Sequence, residues 1–140
     1  MSALETDLDP NTFIGLSFPL RKDKYNDFAM TKNSLQQARH NIKNLLLTYP
    51  GERVGQPEFG SKLRELCFEQ IDDNLPERIE EEVRRAVSIW LPYISITEVQ
   101  TLTEDGDANK IFVKVTYSTT LSPQSQEQIT LDASYTATVY

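Results

Sequence analysis

The sequence predicts an α+β fold, with helices packed on one face of a three-stranded antiparallel sheet. Two changes of pattern carry that reading. Between about residues 31 and 92 the apolar residues recur at three- and four-residue steps, the period of an amphipathic helix. From Tyr93 onward the period becomes two, as expected of strands with one face buried. Size and composition agree: 140 residues, 39% hydrophobic and 25% charged, describe one ordinary globular domain with room for a core. The expected organisation is an N-terminal arm over 1–30 and a single α+β domain over 31–140, with helices over about 31–92 and the sheet over about 93–140. No internal repeat or linker interrupts it.

The arm holds little periodicity. Phe13, Ile14, Leu16, Phe18 and Leu20 gather around Gly15 and Pro19, and Arg21 to Asp27 reads as a charged loop. Thr31 is the expected N-cap of a first helix whose apolar face is Leu35, Ala38, Ile42, Leu45 and Leu46. Tyr49-Pro50-Gly51 ends it, because Pro50 cannot continue the ladder and Gly51 suits a turn with positive φ. No acidic residue lies between Phe28 and Gly51, so Lys32, Arg39 and Lys43 give this helix a basic outer face on a chain of net charge −7. Ser61 is the expected cap of a short second helix carrying Leu63, Leu66, Cys67 and Phe68. A third follows Asn74-Leu75-Pro76, with proline in the first turn and Glu77, Glu80, Glu81 and Glu82 near the positive end of the helix dipole. Its stripe is Ile79, Val83, Ala86, Val87 and Trp90, and Pro92 stops it.

The strands follow. Ile94 and Ile96 alternate with Ser95 and Thr97, and the pattern stumbles at Glu98-Val99 as at a bulge. Glu104-Asp105-Gly106-Asp107 signals a turn. Ile111, Val113, Val115 and Tyr117 alternate with Phe112, Lys114, Thr116 and Ser118. Ser122-Pro123-Gln124-Ser125 is the expected second turn, and Ile129 to Val139 alternates to the end of the sequence.

Composition also excludes. An acidic chain lacks the basic face of a duplex nucleic-acid binder. No apolar run approaches the roughly 20 residues of a membrane helix, and the acidic N-terminus is not a signal peptide. With one cysteine, Cys67, and one histidine, His40, a Cys/His zinc site cannot be assembled and no internal disulfide can form. There is no phosphate-binding glycine loop, and no cofactor is expected. Glu52, Glu58 and Glu69 are the carboxylates available to a glycosidase, but Trp90 and the tyrosines sit at core spacings, which leaves no sugar platform. Glu52 and Arg53 read most simply as a solvated or mutually paired turn, His40 as a surface residue and Cys67 as a small buried hydrophobe.

The last strand stands out. After Lys114 the only charged residues are Glu127 and Asp132. Natural edge strands are usually blunted by lysine, proline or a bulge. One reading makes this an inner strand; the other makes it an edge kept open to receive a strand from another protein, with Thr130, Ser134 and Thr136 facing the partner.

Several segments resemble a known family: Phe18-Pro19-Leu20 after Gly15, Leu45-Leu46-Leu47-Thr48 running into Pro50-Gly51-Glu52-Arg53, Pro57-Glu58-Phe59-Gly60, Leu66-Cys67-Phe68-Glu69, and a helix ending at Trp90 before Pro92. Together, over about Phe13 to Thr103, they resemble the baseplate wedge proteins of contractile-tailed phages. That family was once labelled tail lysozyme, is better described as the sheath initiator, and includes a subunit of type VI secretion baseplates. The resemblance implies a structural virion protein of the tail baseplate, made in the host cytoplasm, and not an enzyme. Its implied partners are the baseplate wedge core proteins and the tail sheath subunits, with six copies around the tail tube and no nucleic acid or membrane. The glycine turn Gly51, Glu52 and Arg53 falls among the implied partner-binding residues. Where the family has Glu-Pro-Arg after its long helix, a motif that docks on the wedge core, this chain has Leu91, Pro92 and Tyr93. Only the proline matches, so the expected contact there is apolar and aromatic. A cell-wall glycosidase and a small regulatory binding protein are the alternatives from other classes.

Overall fold

The computed structural model describes residues 2–17, 20–69, 72–104 and 107–132. The chain opens on a short helix, α1 (Ala3–Leu8), closed by a capping box: the Ser2 hydroxyl accepts from the Glu5 N–H at 3.2 Å and the Glu5 carboxylate accepts from the Ser2 N–H at 2.7 Å. A two-stranded ribbon follows, β1 (Gly15–Leu16) antiparallel to β2 (Met30–Thr31). It extends beyond these residues through Ser17 N–H to the Ala29 carbonyl, Ala29 N–H to the Arg21 carbonyl, and a turn in which Asp23 N–H meets the Asp27 carbonyl. Arg21 to Asp27 is thus the turn of the ribbon, with Asn26 at φ 69°. The sequence pattern of the arm revealed neither α1 nor this second sheet. Their apolar residues are mostly exposed, among them Leu8, Phe13, Leu16, Phe28 and Met30.

Thr31 is the buried end of β2 and not the cap of the next helix; its hydroxyl bonds the Gln37 side chain. The cap of α2 (Ser34–Leu47) is Asn33, whose side-chain oxygen accepts from the Gln36 N–H at 2.8 Å. Asparagine caps at least as well as threonine, and a β-branched residue is at ease in a strand. α2 buries Ala38, Ile42, Leu45 and Leu46, as the spacing predicts. It also buries Lys43, at 4% exposure, so the basic outer face reduces to Lys32 and Arg39. Burial holds the Lys43 ammonium below its ordinary pKa, and the nearby charges of Arg39 and Arg21 push the same way.

Two further helices complete this layer, α3 (Leu63–Phe68) and α4 (Leu75–Trp90). Lys62 stands directly before α3 and makes no side-chain cap bond; Ser61, one residue earlier, accepts the Leu63 N–H on its hydroxyl at 3.4 Å and donates that hydroxyl to the Leu46 carbonyl at 2.9 Å. α4 starts with Pro76 in its first turn and buries Ile79, Val83, Ala86 and Val87. Phe68, expected in the apolar face of α3, is exposed, while Leu63 and Cys67 are buried.

The main sheet is β3 (Ile94–Glu104), β4 (Asp107–Thr119) and β5 (Ser122–Asp132), all antiparallel, with β4 in the centre. Ile111, Val113, Val115 and Tyr117 of β4 and Ile129 and Leu131 of β5 join the helical residues in one core. α2 packs on β4 and β5, and α4 on β3. The bulge in β3 falls at Thr97: Ile96 faces Tyr117 and Glu98 faces Thr116. The second turn is not at Ser122 to Ser125. Thr119 faces Ser122, so the tip is Thr120-Leu121, anchored where the Thr120 N–H donates to the Tyr93 carbonyl at 3.0 Å. Pro123 stands inside β5, where a missing donor is tolerated because β5 is an outer strand among the described residues. Register then slips, since Tyr117 faces Glu127 while Thr119 faces Ser122. The Tyr117 side chain is fully buried; its hydroxyl lies 3.1 Å from the Glu127 carboxylate, and burial followed by that charge keeps the phenol protonated well above its ordinary range.

Burial, with the Asp132 charge adding to it, pushes the Cys67 thiol up to about 12. The folded chain should therefore leave a disulfide reagent untouched at pH 8 and react at once in denaturant. Because the folded value exceeds the unfolded one, the thiol's contribution to stability is whole below the unfolded pKa near 9 and is lost as pH rises toward about 12. Rapid labelling of folded protein at pH 8 would contradict this placement.

Candidate partner-binding surface

The turn after α2 is built from backbone first. Gly51 adopts φ +97° and its N–H donates to the Pro57 carbonyl at 2.7 Å, which closes the segment Gly51 to Pro57 on itself. Gly60 adopts φ +128°, and a Cβ there would come within 2.4 Å of the Thr48 carbonyl oxygen. That same carbonyl accepts the Ser61 N–H at 2.9 Å. The Pro-Gly-Glu-Arg and Pro-Glu-Phe-Gly segments are thus the two halves of one loop whose ends meet under the end of α2.

Of the two readings of Glu52 and Arg53, a solvated turn or a mutual pair, the exposure of both fits the first. Glu52 and Arg53 are not partners of each other. The Glu52 carboxylate accepts from the Tyr49 N–H at 3.1 Å and lies 3.7 Å from the Arg64 guanidinium. Arg53 instead stacks over the Phe59 ring at 4.0 Å, and Phe59 meets Trp90 edge-to-face at 5.1 Å. Arg53 is exposed on one side and fixed on the other. Between it and Gly55, Val54 is fully exposed.

The Leu91-Pro92-Tyr93 segment divides. Leu91 is part of the core at 9% exposure, its N–H donating to the Val87 carbonyl at 2.8 Å. Pro92 is exposed. Tyr93 is half-buried, with its hydroxyl accepting from the Asn41 amide at 2.6 Å, so it is turned toward α2. This phenol lines a cleft of about 420 Å³ with Gln37, Asn41, Thr119 and Thr120. Gln37 and Asn41 went unremarked in the sequence because polar residues off an apolar stripe carry no pattern. The structure therefore does not bring Leu91, Pro92 and Tyr93 together on one exposed face.

Thr130 is exposed on β5, opposite Lys114, between the buried Ile129 and Leu131. Ser134 and Thr136 lie outside the described residues. Among the described residues β5 pairs only with β4, so its outer side is a sheet edge. β3 forms the other edge, and there Arg84 of α4 donates to the Ile96 carbonyl at 2.9 Å and the Thr97 carbonyl at 3.3 Å.

The carboxylates considered for catalysis are scattered. Glu58 is exposed, Glu52 stands near Arg64, and Glu69 pairs with Arg78. His40 is half-buried beside Leu16, Asn41 and Asn44. No group of three or more His, Cys, Asp or Glu among the described residues could hold a metal ion, and no helix among them is long and apolar enough to cross a membrane.

One family model matches residues 33–124, and its description is baseplate wedge protein gp25. No curated protein matches the chain in sequence. Solved structures share the fold. A protein described as a tail lysozyme from Geobacter sulfurreducens is 24% identical with a TM-score of 0.63, over 73% of this chain and 92% of that one. A chain of the anti-feeding prophage baseplate is 20% identical with a TM-score of 0.65, over 73% and 81%. A chain of the post-contraction pyocin R2 baseplate is 22% identical with a TM-score of 0.53, over 71% and 97%.

The two loop glycines should differ in their tolerance of a side chain. Gly51 has open space around it, so Gly51→Val should cost about 1 kcal/mol or more through φ alone. Gly60→Ala meets both a forbidden φ and the Thr48 carbonyl, and should cost more than Gly51→Val. Urea unfolding of both variants measures the order. Equal, negligible losses would mean that the loop relaxes freely.

Proposed function

The chain belongs to the baseplate wedge protein gp25 family, and from that premise we propose that it links the wedge core of a contractile tail to the sheath and starts sheath assembly through its C-terminal strand. The observation that carries this reading is the position of β5 at an edge of the sheet. An edge strand presents unpaired backbone groups to any strand laid beside it, and the alternation of buried Ile129 and Leu131 with exposed Gln128 and Thr130 sets its inner face on the core. Backbone hydrogen bonds supply affinity in such an addition, and wet side chains such as Thr130 are compatible with it. Ser134 and Thr136 continue the same alternation in sequence and belong to the same proposed contact.

On this reading a second surface meets the wedge core. Gly51, Glu52 and Arg53 offer a loop tip held by its own backbone, and the exposed Pro92, next to a Tyr93 turned toward α2, belongs to the same proposed contact. Copies, six in number, stand around the tail tube in the same scheme. The role is structural: it needs no cofactor, and the carboxylates perform no hydrolysis.

Two experiments test this. Gln128→Lys with Thr130→Lys adds charge to exposed positions of the edge strand while sparing the core. The double variant should fold and enter the baseplate, yet sheath nucleation should fall several-fold. Normal sheath growth on such baseplates would remove β5 from the contact. Purified wild-type protein should also leave peptidoglycan intact; cleavage lost in Glu52→Gln, Glu58→Gln or Glu69→Gln would favour a glycosidase.

A further inference from the structure

A three-stranded sheet has two edges, and they are finished differently here. β3 is long, rich in Ile, Val and Thr, and pairs only with β4 among the described residues. Left bare, such a strand is a template for pairing with another chain. We propose that Arg84 closes the β3 edge and so directs strand addition to β5. The guanidinium takes the two carbonyls at the Thr97 bulge, with Nη1 on Ile96 and Nη2 on Thr97. Its third nitrogen, Nε, donates to Glu80 at 2.8 Å, one turn back on α4, so the fork is aimed from both sides. An incoming strand therefore meets occupied acceptors and a local bulge about a third of the way along β3. The described ladder of β5 on β4, from Glu127 to Asp132, is regular. The direction of addition rests on the function proposed above; the closure of β3 does not.

The test uses the full chain. Gln100→Cys puts a thiol at an exposed site near the middle of β3, where two antiparallel copies of that strand would cross. Cys67 is buried and does not compete. Under mild oxidation Gln100→Cys alone should stay monomeric. Adding Arg84→Ala should give a disulfide-linked dimer whose fraction rises with concentration, and Arg84→Lys should reduce that fraction at least twofold. Arg84 is exposed, so each variant should fold, and circular dichroism is the check. No more dimer with Arg84→Ala than without it would overturn the proposal. So would a dimer that crosslinks through Thr130→Cys on β5 and not through Gln100→Cys. Sheath nucleation is scored separately: if the wild type fails to nucleate sheath, the function above falls while the crosslinking result still decides the role of Arg84.

Discussion

The end of α2 is tied off by chain that comes thirteen to fifteen residues later, and the helical layer depends on that closure. The last turn of a helix leaves carbonyls without intrahelical partners. Ser61 satisfies two of them here, its hydroxyl on Leu46 and its N–H on Thr48. To do so Gly60 must pass so close to the Thr48 carbonyl that no Cβ fits. Once Ser61 is placed, α3 starts in a fixed position. Phe59 is then delivered against Trp90 at the far end of α4, and Arg53 finds a ring to lie on. The exposed loop is thus fixed at buried feet as well as by its own Gly51 to Pro57 bond.

The sheet shows the complementary principle. β4 is paired on both sides and its Val113, Val115 and Tyr117 are fully buried, so it specifies the register of its neighbours. A one-residue slip would turn those side chains out of the core. Beside its buried stretch the irregularity falls in the outer strands, where Thr97 bulges from β3 and the stretch from Pro123 to Gln126 in β5 falls out of step with Ser118; β4 itself shifts register only near its start, where Thr103 faces Ile111 and Glu104 faces Asp107. Both outer strands shift register, and at β3 a side chain from a helix covers the shift.

Periodicity made the body of this fold legible. α2 and α4 bury the stripes that their spacing announced, and the strands of the main sheet follow the change to a period of two. What the sequence hid was decided by tertiary partners. Thr31 has cap chemistry but lies in β2, with its hydroxyl on Gln37, and Ser61 joins the end of α2 to the start of α3 by donating to Leu46 and accepting from Leu63. Lys43 sits beside the apolar stripe, and only the packing of α2 shows that it lies inside. In the candidate surface, the positive φ of Gly51 was readable from Pro-Gly alone. Glu52 and Arg53 are the exposed turn that one of the two readings expected, but their partners Arg64 and Phe59 could not be read from adjacency. Leu91, Pro92 and Tyr93 are consecutive, and a helix end sends consecutive side chains in different directions.

The slip in β5 also acts as a stop on a ruler. Upstream of Glu127 the strand loses step with β4, and Pro123 has no N–H to give. Downstream the ladder is regular as far as it is described, from Glu127 to Asp132, at about 3.4 Å per residue. Any chain lying along the outside of β5 therefore has a defined starting mark, Glu127, whose carboxylate is held by the buried Tyr117 hydroxyl. Position along the strand is measured from the core outward, and the phenol beneath the edge is its zero point.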